Sequence, residues 1–229
     1  DLTPKGTLLN QKTQLSTNVF WSTAYSDLRT ENVVTYEPNA DVTPIVTFGD
    51  SLTTRTTVTS AARALESQGY RVVAGLNGDF FNTGNGLPIG LVITEGELRS
   101  SDGGYYGIGF RADGSAVLGK PGIKVTASLG YQLNGVDVVC SVLSGSLSVG
   151  GSLELLVEQV LDGVSATSVP EGKVVLSVHG ESSSYYADAL RGESAGNTIT
   201  VSVTASQEGW EDVQYGVGAL YSLVENGQA

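Results

Sequence analysis

A strand-like run, RVVAGL (71–76), is interrupted by the polar, glycine-rich segment NGDFFNTGNGLP (77–88) before a second apolar run, GLVIT (90–94), begins. A hairpin turn needs only about two to five residues. The intervening segment is longer than that and carries the polar side chains Asn77, Asp79, Asn82, Thr83 and Asn85. The fold must therefore hold a long loop between two strands, and that loop is the first place to look for a functional site.

The chain before this loop changes from strand-like to helical spacing. In TTVTSAARALESQGY (56–70), apolar residues recur at intervals of three and four from Val58 to Leu65, and Gly69 provides a C-terminal stop. The segments TPIVTFGD (43–50) and RVVAGL on either side are predicted strands. A strand, a helix and a second strand together predict a sheet with a covering helix.

Most of the remaining chain alternates with period two, as half-buried strands do. STNVFWSTAYSDL and ENVVTYEP are two such strands, and Glu95-Gly96 and Asp113-Gly114 mark hairpin turns. The chain after Gly122 is nearly all β, with one short helix predicted at SSYYADALRG (183–192). We predict the α+β class: a mixed β-sheet with few covering helices and a β-rich insert in the second half.

The nearly all-β pattern after Gly122 indicates an inserted unit with ends near Gly122 and Trp210, and no Ser/Pro-rich linker marks a domain boundary. Residues 1–121 form a main domain, residues 122–210 a β-rich insert or subdomain, and residues 211–229 return to the main domain.

The net charge of −12 argues against binding to nucleic acid, which requires a basic face. No apolar run reaches the length of a transmembrane helix. Low cysteine content with abundant Gly, Thr and Ser is typical of an exported bacterial protein, so we expect a secreted, extracellular or cell-surface location.

One cysteine, Cys140, and one histidine, His179, are too few for a structural zinc site of the usual Cys/His type. A Ser-His-Asp or Cys-His site would have to use His179, which follows an apolar strand and is better explained as a structural residue.

The polar residues Asn77, Asp79 and Asn82 surround the predicted end of a strand. Asn and Asp favour turns, which explains these residue types without a function. The same position is also where open sheets present ligand sites. Phe80 and Phe81 are better explained as core residues than as a substrate platform.

The residues VVAGLNGDFFNTGNGLPIGLVITEGEL, followed by YYGIGFRADGSAVLG, resemble the phosphodiester glycosidase family. The resemblance extends from about Arg71 to Pro121, and VGALYSLVENGQ (217–228) is similar to a later family segment. It implies a hydrolase that cleaves a sugar-1-phosphodiester to release the free sugar, with a glycan or sugar phosphodiester as the substrate.

The resemblance also implies roles for individual residues. Asn77 and Asp79 would be catalytic, orienting sugar hydroxyls or a bound cation. The pocket wall and substrate contacts would come from Gly78, Phe80, Asn82, Gly86, Pro88 and Gly90. A divalent cofactor is left open, and the sequence requires none.

Family motifs expected further along, among them Asn-Leu-Asp-Gly-Gly-Gly-Ser, do not occur in the sequence. We therefore expect this chain to carry only the N-terminal part of the site and to need a C-terminal complement from the same protein for activity. Two alternatives stay open: a non-catalytic carbohydrate-binding or cell-surface module, with exposed aromatics such as Tyr105 or Trp210, and a wall-associated domain without a small-molecule site.

Overall fold

The computed structural model describes residues 5–10, 12–39, 41–101, 104–128, 137–143, 147–155, 159–162, 175–178, 188 and 199–219. The chain divides into two compact units. The first combines Asp1–Thr43 with Thr57–Asn77, and the second combines Pro44–Thr56 with Gly78–Ala229. The predicted boundaries near Gly122 and Trp210 fall within the second unit, and the three-part division stays a prediction.

The first unit contains a three-stranded antiparallel sheet and one helix. Its strands, in sheet order, are β1 (Lys5–Asn10), β2 (Thr13–Ser22) and β3 (Asp27–Tyr36). The long β2–β3 hairpin confirms the strands predicted from period two.

Helix α1 (Val58–Ser67) confirms the helical spacing. Thr57 caps it, because its side-chain oxygen accepts a hydrogen bond from the Ser60 N–H at 3.1 Å. The helix ends just before Gly69, whose φ of +96° is readily adopted only by glycine.

The second unit is built on a large sheet. Its strands are β4 (Val92–Thr94), β5 (Glu97–Ser100), β6 (Tyr106–Arg111), β7 (Ala116–Gly119), β8 (Lys124–Ser128), β9 (Asp137–Leu143), β10 (Ser152–Leu155), β11 (Gln159–Asp162), β12 (Val175–Val178), β13 (Ile199–Thr204) and β14 (Val213–Ala219). The main path runs β10-β13-β8-β9-β5-β4-β14-β6-β7, with β12 joined to β9 and β11 to β12.

Both predicted hairpin turns are confirmed. Glu95 and Gly96 connect β4 to β5 with φ values of 56° and 76°, the pair of positive values that a type I′ turn requires. Gly114, with a φ of 81°, follows Asp113 in the turn between β6 and β7.

The predicted α+β class is wrong. The segments 43–50 and 71–76 form no strands, so α1 has no strand on either side, and it is the only helix described along its whole length. The described pairings are antiparallel except for β11 with β12, which makes the protein β-rich. A short apolar run does not reveal its conformation, because a strand also needs a neighbouring strand to pair with. The helix predicted at 183–192 lies outside the described residues, apart from Asp188.

Alternation along the strands builds the core of the second unit. β8 and β13 bury every second residue, including Val125, Val201 and Val203. Trp210 is fully buried against this cluster, and its indole N–H donates to the Gln207 side-chain oxygen at 3.2 Å. Trp210 therefore cannot be one of the exposed aromatics expected of a binding module.

Candidate functional site

The long loop that interrupts the predicted strands is an irregular hairpin, here called the Asp79–Gly90 loop. Ile89 N–H donates to the Phe80 carbonyl at 3.1 Å, and Asn82 N–H donates to the Leu87 carbonyl at 2.8 Å. Between these two pairs, Phe81 and Pro88 form an antiparallel bridge. The two arms of the loop thus run side by side, and backbone hydrogen bonds within the loop stabilise this arrangement.

Asn82 organises the tip of this loop. Its side-chain oxygen accepts from the Gly84 N–H at 2.8 Å, and its carbonyl accepts from the Gly86 N–H at 2.7 Å. Gly86 has a φ of +78°, and a Cβ atom there would overlap the Thr53 carbonyl oxygen. The tip therefore uses Asn82 for turn formation and Gly86 for close backbone approach.

The segment 44–56 anchors the loop within the second unit. The Arg55 guanidinium donates to the Thr83 carbonyl at 3.1 Å. Leu52 and Leu87 are both buried, at 8% and 6% exposure. Because one arm and the tip are fixed in this way, residues at the start of the loop are held in a defined position.

Asp79 begins the loop and is its only acidic residue. Its Oδ1 accepts the Phe80 N–H at 2.7 Å. Its Oδ2 is buried and accepts no hydrogen bond of good geometry within the described part of the chain. The same Oδ2 lies where a Cβ atom on Gly90 or on Gly218 of β14 would have to be placed. Two glycines thus make room for the carboxyl group.

Burial raises the pKa of the Asp79 carboxyl above its ordinary value, and the backbone N–H groups of Phe80 and Gly90 offset part of this rise. No charged side chain among the described residues contributes to the shift. A carboxyl group held partly desolvated without an opposite charge is costly for a fold. Groups of this kind are concentrated at functional sites.

The loop exposes apolar side chains next to this carboxyl group. Phe80, Phe81 and Ile89 are 62%, 43% and 41% exposed, so the interpretation of the two phenylalanines as core residues is wrong. Phe80 lies opposite Ile89, and Phe81 opposite Pro88, on the two sides of the hairpin. The loop therefore offers an aromatic surface to a ligand.

The structure brings some of the predicted site residues together. Asp79, Phe80 and Gly90 form one cluster, and Pro88 continues it toward the tip. Gly78 packs against the same strand, β14, where an added Cβ would be 2.9 Å from Cγ2 of Val217, the residue before Gly218. Asn77 belongs to the first unit, so the structure does not relate it to the cluster.

Gly218 is the residue that sequence reasoning missed. The available signal was a glycine inside the apolar run of β14, since such glycines often mark a close backbone approach. For metal binding, the described residues contain no group of three or more His, Cys, Asp or Glu side chains that could hold an ion. No helix in the described ranges is both long and apolar enough to cross a membrane.

No family model matches the sequence, and no curated protein matches it. In structure, the chain is similar to a crystal structure of a hypothetical protein from Synechocystis, with a TM-score of 0.61 and 15% sequence identity. That similarity covers 96% of this chain and 44% of the other, so this chain spans less than half the length of that protein. At this identity the likeness supports the fold alone.

Proposed function

We propose that this chain carries part of the active site of a phosphodiester glycosidase-like hydrolase, which cleaves a sugar-1-phosphodiester to the free sugar. The observation that carries the proposal is the partly buried Asp79 carboxyl group, which accepts the backbone N–H of Phe80, a residue whose side chain is exposed. The resemblance of residues 71–121 to that family supplies the reaction.

The chemistry assigns Asp79 the role of proton acceptor. Water attacks the anomeric carbon, the bond from that carbon to the phosphodiester oxygen breaks, and the phosphate departs with the bonding electrons. The departing group is a phosphate monoester, which is a stable anion, so its departure needs little help from an acid, whereas the attacking water must lose a proton. A carboxylate with a raised pKa holds that proton better than an ordinary aspartate. Oδ2 is closed to solvent, so the proposal assigns substrate contact to Oδ1.

The aromatic surface would bind the sugar. One face of a pyranose ring is lined by C–H groups and packs against an aromatic ring, while its hydroxyls need polar partners. Phe80 provides such a ring next to Asp79, and Ile89 extends the apolar surface on the same side of the hairpin.

The proposal includes a C-terminal complement from the same protein. Glycoside cleavage commonly uses two carboxyl groups, and the Asp79–Gly90 loop supplies one. In the same proposal Asn77 orients sugar hydroxyls or a bound cation, and Asn82 contacts the substrate. A secreted or cell-surface location is part of the same proposal.

The test is release of free sugar from an N-acetylglucosamine α-phosphodiester by the chain and by a version extended C-terminally. We expect turnover in the extended protein, loss of about 100-fold or more in kcat for Asp79→Asn, and a raised KM for Phe80→Ala. Asp212→Asn makes the same chemical change at an exposed turn and should leave turnover unchanged. Full activity of Asp79→Asn would exclude the proposed role of this carboxyl group.

A second candidate function is a non-catalytic carbohydrate-binding module, which the exposure of Phe80, Phe81 and Ile89 favours. It predicts glycan binding that is weakened by Phe80→Ala and unchanged by Asp79→Asn, without sugar release from either protein.

A further inference from the structure

One edge of the three-stranded sheet is open along a long strand. β3 pairs with β2 from Asp27 to Tyr36, and no described residue pairs with its other side. Every residue from Asp27 to Val33 is exposed. An open edge presents unpaired backbone N–H and C=O groups to any strand that can align with them.

Natural edges are often protected by charge, but the charges on this edge alternate in sign. Asp27, Arg29 and Glu31 follow one another on the same face of β3, separated by single residues. A row of one sign would repel an identical strand. A row of alternating sign repels it in some registers and attracts it in others.

We propose that β3 pairs with β3 of a second copy of this chain, antiparallel and about a two-fold axis at Thr30. In this register Arg29 lies directly opposite Glu31 of the other copy, and symmetry repeats the pair on the other side of the axis. Leu28 faces Asn32, and Asp27 faces Val33. The two sheets become one continuous sheet across the dimer.

The charges select this register over its neighbours. An axis at Arg29 would place arginine against arginine and Asp27 against Glu31, and an axis at Glu31 would place glutamate against glutamate. Like charges directly opposite each other are destabilising in a sheet, whereas opposite charges stabilise it. Leu28 and Val33, which are 53% and 40% exposed, would also lose contact with water on pairing.

The test uses the symmetry of the pairing. Light scattering across a dilution series should find a dimer for the wild type. Arg29→Glu creates Glu–Glu pairs and Glu31→Arg creates Arg–Arg pairs, so each should raise the dimer Kd about tenfold or more. The double variant restores opposite charges in the same register and should bring the Kd back toward the wild-type value. Circular dichroism confirms that each variant stays folded.

The double variant also distinguishes the loss of pairing between copies from the loss of contacts that Arg29 and Glu31 make within one chain. Arg29 lies over the Tyr25 ring at 4.5 Å, and Glu31 accepts a hydrogen bond from Asn18 at 3.2 Å. The charge exchange restores neither contact, so recovery of the dimer can come only from pairing between copies. A wild type that stays monomeric at millimolar concentration overturns the proposal. A double variant as weak as the single variants, or weaker, overturns it too.

Discussion

The carboxyl group of Asp79 occupies the space that a Cβ atom on Gly218 would need. Gly218 also donates its N–H to the Leu91 carbonyl at 2.8 Å, so β14 is fixed beside the end of the Asp79–Gly90 loop. The position of the carboxyl group thus depends on the absence of a side chain in a distant strand.

Gly218→Ala should lower the free energy of unfolding by about 1–3 kcal/mol, because the new methyl group overlaps the Asp79 carboxyl. The same change should cost less in an Asp79→Ala background, where the carboxyl overlap is gone and only the close approaches to Leu91 N at 2.8 Å and Gly90 Cα at 3.0 Å are left. Denaturant unfolding of the four proteins in this cycle measures the coupling. Gly216→Ala is the matched control, since its Cβ would meet the Ile93 side chain at 3.3 Å and no carboxyl group. If Gly218→Ala lowered the free energy of unfolding equally in the wild type and in Asp79→Ala, the close contact between Gly218 and the Asp79 carboxyl would be contradicted.

The raised pKa of Asp79 predicts a pH dependence of stability. The folded protein holds this proton more tightly than the unfolded chain. The stabilisation is therefore fully present below the ordinary pKa of 3.8 and is lost as the pH rises through the folded pKa. Asp79→Asn removes the titration, so its free energy of unfolding should improve relative to wild type as the pH rises from below 3.8. Unfolding at a series of pH values checks this. The prediction would be wrong if the difference in free energy of unfolding between Asp79→Asn and wild type did not change with pH. It would also be wrong if Asp212→Asn showed the same change with pH.

Alanine substitutions at Gly86 and Gly104 distinguish the stability cost of backbone strain from the cost of steric overlap. Both glycines have positive φ values, +78° and +83°, but a Cβ on Gly86 would overlap the Thr53 carbonyl, whereas one on Gly104 meets no atom of the described residues within 4 Å. Gly104→Ala should cost roughly 1–2 kcal/mol from strain alone. Gly86→Ala should cost more and should speed hydrogen exchange in the Asp79–Gly90 loop. Similar losses for the two variants would mean that the loop tip does not need the contact with Thr53.

Leu98 and Leu118 compare a buried and an exposed leucine in the same sheet. Leu98 is 0% exposed and Leu118 is 51% exposed. Leu98→Ala should lower the free energy of unfolding by about 2–5 kcal/mol through lost burial and a cavity. Leu118→Ala should change it by no more than about 0.5 kcal/mol. Thermal or urea unfolding tests the pair, and a large loss at Leu118 would show that its surface is covered.

Local signals account for the elements that the sequence predicted well. The two turns at Glu95-Gly96 and Asp113-Gly114 each contain a glycine with a positive φ, and α1 depends on spacing and on Gly69. The conformation of each turn and of the helix end depends on only a few neighbouring residues. Prediction failed where the outcome depended on distant partners. RVVAGL has an apolar composition suited to a strand, but no strand in the described part of the chain pairs with it.

The candidate site was predicted in outline and missed in detail. Asp79, Phe80 and Gly90 were identified from the motif, but the exposure of the phenylalanines was not, because apolar composition alone favours burial. Gly218 could not be connected with Asp79 from the sequence. The contact between them exists only because β14 pairs beside the end of the loop.

The position of β14 has a consequence for how the protein folds. β14 hydrogen-bonds to β4 on one side and to β6 on the other, although both precede it in the chain. During synthesis the β4–β5 and β6–β7 hairpins are therefore complete before the strand that joins them exists. Pairings of such long sequence separation close slowly, and the open edges on either side of the gap are prone to wrong partners until then. The arrival of β14 is the step that closes this gap and pairs the two open edges beside it.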